Sequence, residues 1–144
     1  MAESLFSLVF LTAAPFWLLM IVLPAWSWTR RIVSSPFIAA PAAVIYAVLA
    51  LPRLGELLPA VARPTITSVS DLLATPDGTA LGWAHFIAFD LFVGRWMYLD
   101  ARDRGVNALL MAPILLLTIL LGPLGFLVYL GVRHLPFWKP REVS

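Results

Sequence analysis

Residues 83–100 read WAHFIAFDLFVGRWMYLD, an apolar stretch of helical length that carries His85, Asp90 and Arg95 in its interior. An ionisable group at bilayer depth costs about 2.5–3.5 kcal/mol on insertion scales. A span that keeps three such groups is therefore expected to use them. Three other apolar stretches contain no charged residue; they cover residues 4–29, 32–52 and 105–132.

The composition predicts a membrane protein. Of the 144 residues, 61% are hydrophobic and only 12% are charged, whereas soluble domains contain about 25% charged residues. Each uncharged stretch can supply the ~20 residues that cross a ~30 Å hydrocarbon core. We therefore expect an all-α integral membrane protein with one transmembrane domain over residues 1–144. The predicted fold is a four-transmembrane-helix bundle, with spans at about 5–26, 36–51, 79–99 and 106–132.

The connection between the second and third spans has its own helical pattern. Apolar residues recur in it at helical spacing, with charged residues between them; they are Leu54, Leu57, Leu58 and Val61. This pattern predicts a short interfacial helix. The second span is rich in alanine, and such small residues favour burial within a helix bundle. In the fourth span, Pro113 and the segment GPLG at 122–125 predict a kink.

Several classes of site are excluded by residue types. The chain has no cysteine, which excludes disulfides and thiolate ligands. Its two histidines, His85 and His134, lie far apart, and we expect no metal site. The net charge of +2 is spread over several loops, so nucleic-acid binding is not expected. The N-terminus lacks the basic region of a signal peptide, and the first span is expected to be retained.

The polar groups of the third span do not form one stripe. His85, Asp90, Arg95 and Asp100 are spaced five residues apart, and each such step rotates about 140° and rises about 7.5 Å. Adjacent members therefore cannot pair across a helical turn. Asp90 lies near mid-span and shares its stripe with glycines, which would let another helix approach closely. Arg95 lies nearer the end of the span, where its head could snorkel to the interface.

Two interpretations of this helix stay open. In one, Asp90 and His85 form a buried acid–base site that exchanges protons with a ligand. In the other, Asp90 and Arg95 hydrogen-bond to other spans, or to a second copy of the chain, and fix helix packing. The aromatic side chains, including Trp83 and Phe86, either face lipid and neighbouring helices or line a slot for a flat apolar ligand.

The stretch with Trp83-Ala-His85, Asp90-Leu-Phe, Arg95 and Asp100 resembles the neoxanthin-synthase-like family, also called abscisic-acid-deficient-four-like. These are small membrane proteins with four spans, and plastid members act in xanthophyll metabolism, where they are needed to make neoxanthin from violaxanthin. The resemblance is densest over residues 82–105. Elsewhere it extends only to the length and the layout of the spans.

The resemblance implies an isomerase without a redox cofactor, acting on a carotenoid or similar isoprenoid. One epoxide opens to an allene and a tertiary alcohol, which requires an acid at the epoxide oxygen and a base for a proton of the polyene. Our hypothesis gives these catalytic roles to Asp90 and His85. Arg95 and Tyr46 would bind a ring oxygen, and Trp83 and Phe86 would contact the substrate.

The expected location is a membrane, either the bacterial inner membrane or a plastid membrane, and the expected partners are membrane lipids and an apolar carotenoid or isoprenoid ligand. A homo-oligomer or a partner in a membrane complex stays open. The alternative function is a non-catalytic membrane scaffold or a pigment- or lipid-binding subunit. A small transporter or proton pathway is disfavoured, because the chain lacks inverted repeats and a second polar span.

Overall fold

The computed structural model describes residues 1–136 and 138, and this part of the chain is helical, without a strand. Its α-helices are α1 (Ala2–Val22), α2 (Ser27–Val33), α3 (Ala40–Ala50), α4 (Leu54–Ala62), α5 (Ile66–Ala74), α6 (Pro76–Arg104), α7 (Ala108–Leu120) and α8 (Gly122–Arg133). Two short 3₁₀ turns, Pro36–Ala39 and Leu51–Arg53, flank α3.

Helices α1 and α6 pack against each other in parallel orientation, since their N-terminal parts meet at one end and their C-terminal parts at the other. At one end, Phe6 stacks on Trp83 with ring centroids 5.2 Å apart. At the other, the hydroxyl of Tyr98 donates to the carbonyl of Pro24 at 2.7 Å. The buried residues of α1 recur every three or four positions, as expected for one face of a helix turned to a core; they are Val9, Ala13, Trp17 and Met20.

Two helical stretches, Ala2–Val22 and Pro36–Ala62, are long and apolar enough to cross a bilayer. The second comprises α3, its flanking turns and α4. Helix α6 has 29 residues, which at about 1.5 Å per residue gives a length of about 43 Å. It carries the ionisable residues of the predicted third span, His85, Asp90 and Arg95. The short helix predicted after the second span is present as α4, which continues the apolar stretch that begins at Pro36, and a second short helix, α5, follows it.

The fourth predicted span differs most from the structure. Residues 106–132 form two helices, α7 and α8, of 13 and 12 residues, or about 20 Å and 18 Å. Each is shorter than a ~30 Å hydrocarbon core. The two helices fold back on each other, because Gly125 lies directly against the backbone of Thr118. The chain reverses at Leu121, whose φ and ψ of −142° and 71° are not helical. The GPLG segment therefore makes a hairpin turn, where the sequence predicted a kink.

Both ends of this hairpin lie at the C-terminal end of α6. The amide of Val106, just before α7, donates to the carbonyl of Ala101 at 2.9 Å. Arg133, the last residue of α8, donates to the carboxylate of Asp100 at 2.9 Å. The chain therefore returns to the face from which α7 started, and α7 and α8 together do not cross the molecule.

The two ends of the molecule differ in charge. One end, called the arginine face below, contains the C-terminal end of α6, helix α2 and the end of α8. Its charged residues are Arg30, Arg31, Asp100, Arg102, Asp103, Arg104 and Arg133. The opposite face contains the N-terminus, α4, α5 and the start of α6, where Arg53 pairs with Asp77. Glu3, Glu56, Arg63 and Asp71 belong to this second face.

Candidate functional site

His85 lies on the part of α6 that faces outward beside α3. Its side chain is exposed, and its ring is surrounded by aromatic rings. The ring centroid lies 4.9 Å from that of Phe89 and 5.7 Å from that of Tyr46 on α3. The structure therefore brings together two of the predicted site residues, His85 and Tyr46.

Asp90 lies half-buried on another side of α6, at the tip of the α7–α8 hairpin. Its carboxylate packs directly on Gly122, the first residue of α8, and a Cβ at that position would collide with it. Within the described residues, no other side chain or backbone group is hydrogen-bonded to this carboxylate. A carboxylate without a hydrogen-bonded partner among the described residues, next to a break between two apolar helices, is a candidate to interact with a ligand.

His85 and Asp90 do not contact each other. They lie about 7.5 Å apart along α6 and about 140° apart around it. On the helix surface between them lie Phe86 and Phe89, whose side chains are 57% and 59% exposed. The two titratable groups thus border an open aromatic strip, His85 on the α3 side and Asp90 on the side of the hairpin.

Next to this strip, an apolar groove of about 320 Å³ opens between α6 and the segment that precedes and begins α3. Alanines form most of one wall, and two phenylalanines of α6 form part of the other. Its lining is Pro36, Phe37, Ala39, Ala40, Ala43, Ala88, Phe89 and Phe92. The sequence predicted burial for the alanine-rich span. Ala42 and Ala50 are buried, whereas the groove exists because several of its other alanines leave space.

Arg95 lies beside the groove on the side toward the arginine face. One terminal nitrogen donates to the carbonyl of Ser34, and the guanidinium lies 5.7 Å from the ring centroid of Phe92. Its Nε is buried and has no hydrogen-bond partner among the described residues. That nitrogen is enclosed by protein, so the part of Arg95 that can meet a ligand is the end of its guanidinium.

The two predicted aromatic contacts have different surroundings. Phe86 is part of the open strip and meets His85 edge-on, with ring centroids 6.1 Å apart. Trp83 is partly buried and stacks on Phe6 of α1, so its ring contributes to helix packing.

Asp100 has partners that the sequence did not reveal. Its carboxylate accepts hydrogen bonds from the hydroxyl of Tyr129 at 2.5 Å, from Arg104 at 2.8 Å and from Arg133 at 2.9 and 3.0 Å. Burial acts to raise the pKa of this carboxyl, but these bonds hold its pKa below the ordinary value. The sequence signals for this cluster were two spacings of four residues, Asp100 with Arg104 on α6 and Tyr129 with Arg133 on α8.

Among the described residues, no group of three or more His, Asp or Glu side chains lies close enough to hold a metal ion. No curated protein and no solved structure matches the chain. The family model described as ABA DEFICIENT 4-like matches residues 4–129. With nearly nine-tenths of its length covered by that match, including the whole of α6 and the hairpin tip, the chain belongs to the ABA DEFICIENT 4-like family.

Proposed function

We propose that the chain is an integral membrane isomerase that opens an epoxide of a carotenoid or related isoprenoid to an allenic alcohol. The observation that carries the proposal is the open aromatic strip of α6, with His85 on one side and an unpartnered Asp90 on the other. The family assignment supports it, because the resemblance to neoxanthin-synthase-like proteins implies this chemistry.

The proposed arrangement in the membrane has three crossing helices and one re-entrant hairpin. The crossing elements are α1, the stretch Pro36–Ala62 and α6, and the hairpin is α7–α8. Large apolar side chains are exposed along the hairpin and at its tip; they include Leu109, Leu116, Leu120, Leu121, Leu124 and Leu127. In water such a surface would be unfavourable, whereas in a bilayer it faces lipid tails.

The ligand enters sideways, from the lipid. The groove is open and apolar, and its volume lies at the lower end of the ~300–1,000 Å³ of typical ligand sites. It therefore holds one end group of a long isoprenoid, while the rest of the polyene lies along the exposed rings of Phe86 and Phe89. The end of the Arg95 guanidinium, which lies beside Phe92, donates to an oxygen of the end ring. Tyr46 supports the imidazole of His85.

The reaction is a balanced proton exchange. Asp90, in its acid form, gives a proton to the epoxide oxygen as one carbon–oxygen bond breaks, and that oxygen stays on the neighbouring carbon as a tertiary alcohol. His85 removes a proton from the adjacent polyene carbon. The electron pair of that carbon–hydrogen bond forms the new double bond of the allene. One proton enters and one leaves, so the product is an isomer of the substrate and no redox cofactor takes part.

The test is the pigment profile of membranes that contain violaxanthin and express the chain. We expect the wild type to produce a neoxanthin-like isomer and Asp90→Asn to produce none, because the amide cannot protonate the epoxide. Asp71→Asn is the matched control, since Asp71 lies in α5 on the opposite face, away from the strip. His85→Phe should also lose activity while it keeps an aromatic ring against Tyr46 and Phe89.

The same experiment separates catalysis from the alternative function. A non-catalytic pigment- or lipid-binding subunit would leave the pigment profile unchanged when the wild type is present and folded. Full turnover by Asp90→Asn would show that this carboxylate is not the acid. Co-purification of unchanged pigment with both wild type and Asp90→Asn would favour a binding scaffold.

A further inference from the structure

A second pocket lies at the arginine face, away from the aromatic strip. It has a volume of about 260 Å³ and lies where the end of α8 meets the end of α6. Its lining is Arg104, Arg133, His134, Leu135 and Trp138. The indole N–H of Trp138 donates to the carbonyl of Val132 at 2.7 Å, which holds this ring beside the end of the helix.

The pocket has an excess of positive charge. Asp100 is the only carboxylate bound to Arg104 and Arg133 in the described part of the chain, so the two guanidiniums share one negative charge. Arg104 uses its Nε for that bond, and its two terminal nitrogens have no hydrogen-bond acceptor among the described residues. Arg133 is fixed in place by Asp100 and by the ring of Trp96, 5.1 Å from its guanidinium carbon.

The surroundings add to this charge. Among the described residues, the arginine face also carries Arg31 and Arg30, and Asp103 on the same face is already paired with Arg30. Arginine binds phosphate oxygens in a planar, two-pronged geometry. Basic pockets between membrane helices at the interface are suited to anionic headgroups, and a tryptophan is typical of the same depth.

We propose that this pocket binds the phosphate of an anionic membrane lipid. The terminal nitrogens of Arg104 and an imidazole N–H of His134 donate to the phosphate oxygens, while Arg133 supplies charge from its fixed position against Asp100. The lipid's acyl chains extend along the exposed leucines of the hairpin. This site is separate from the proposed catalytic strip and does not depend on the isomerase activity.

The test measures lipid binding to the full chain in a neutral detergent by native mass spectrometry. Phosphatidylglycerol is the anionic probe, phosphatidylcholine is the zwitterionic one, and inorganic phosphate is added as a competitor. The double variant Arg104→Gln/His134→Gln removes the proposed donors and leaves the Arg133–Asp100 pair intact. Arg31→Gln is the matched control, because Arg31 lies on the same face but stacks on Trp28 outside the pocket.

We expect phosphatidylglycerol to bind more tightly than phosphatidylcholine, and the double variant to weaken its binding about tenfold or more, as loss of hydrogen bonds to a charged group predicts. Arg31→Gln should bind as the wild type does. Equal binding by the double variant, or equal binding of both lipids, would overturn the proposal. Displacement of the lipid by millimolar phosphate would assign the pocket to the free ion instead.

If the double variant does not fold, Arg104→Lys is the second test. This substitution keeps the positive charge but loses the planar, two-pronged guanidinium, and it should still weaken lipid binding.

Discussion

Asp90 and Asp100 are two carboxylates on one helix with opposite surroundings. Asp100 accepts bonds from Tyr129, Arg104 and Arg133, so its lone pairs are occupied and its role is to join helices. Asp90 packs on Gly122 without a hydrogen-bonded partner in the described residues. An unpartnered polar group within apolar helices is costly. That cost is the physical argument for a function at Asp90.

The five-residue spacing predicted that the polar groups of α6 face different neighbours, and their contacts differ accordingly. His85 meets Tyr46 of α3, Arg95 meets Ser34, and Asp90 meets Gly122. The sequence could not predict these partners, because each comes from a segment some 30 to 60 positions away along the chain. The spacing of residues within one helix predicts on which side of the helix each side chain lies. Which residues it contacts on that side depends on how the other helices pack.

Replacing Asp100 with asparagine should destabilise the protein. Arg133, whose side chain is only 18% exposed, would lose its charged partner, which corresponds to about 2–4 kcal/mol. Thermal unfolding in detergent measures the change. Asp103→Asn is the matched control, since its pair with Arg30 is exposed and should contribute less than about 1 kcal/mol.

The contribution of Asp100 should also depend on pH. Because the pKa of this carboxyl is lower in the folded protein than in the unfolded chain, its stabilisation is fully present above about pH 4. It is lost as the pH falls through the lowered native pKa. The stability difference between wild type and Asp100→Asn should therefore be constant near neutrality and shrink in acid. A difference that persists unchanged well below that range would contradict the prediction.

At the scale of elements, the α7–α8 hairpin is the feature that the sequence did not predict. Pro113 and the GPLG segment indicated a disturbed helix, and the break falls at Leu121, directly before that segment. The reversal depends on contacts between distant positions, namely Thr118 with Gly125 and Asp100 with Arg133. Hydropathy is the same for one long span and for two short helices side by side, so composition alone could not distinguish them.

The hairpin should depend on Gly125. A Cβ at this position would come within 2.6 Å of the amide nitrogen of Thr118, and such overpacking costs about 1–3 kcal/mol. Gly125→Ala should therefore lower the unfolding temperature. Gly131 lies on the same helix with nothing within 4 Å of its position for a Cβ. Gly131→Ala should leave stability unchanged or raise it, since alanine favours helix. Equal effects of the two substitutions would argue against close packing of α7 on α8.

For the whole molecule, the hairpin changes the distribution of charge across the membrane. Four spans would place both termini on one side and divide the cations five against four, a balance that predicts no orientation. With a re-entrant hairpin, five of the eight described arginines lie on the arginine face and two, Arg53 and Arg63, on the opposite face, while Arg95 lies within α6. In this proposed arrangement, the positive-inside rule predicts that the arginine face lies on the cytoplasmic side.

This orientation predicts that the two ends of the chain lie on opposite sides of a bacterial inner membrane. The chain has no cysteine, so single cysteines can be placed at the exposed positions Ser4, Ser70 and Leu135 and labelled with a membrane-impermeant maleimide. In intact spheroplasts, Ser4→Cys and Ser70→Cys should react, while Leu135→Cys should react only after the membrane is opened. Reaction of Ser4→Cys and Leu135→Cys from the same side would mean that residues 106–132 cross the membrane. Such a crossing would put Arg104 and Arg133 on opposite sides of the membrane, which the bonds of both side chains to Asp100 do not allow.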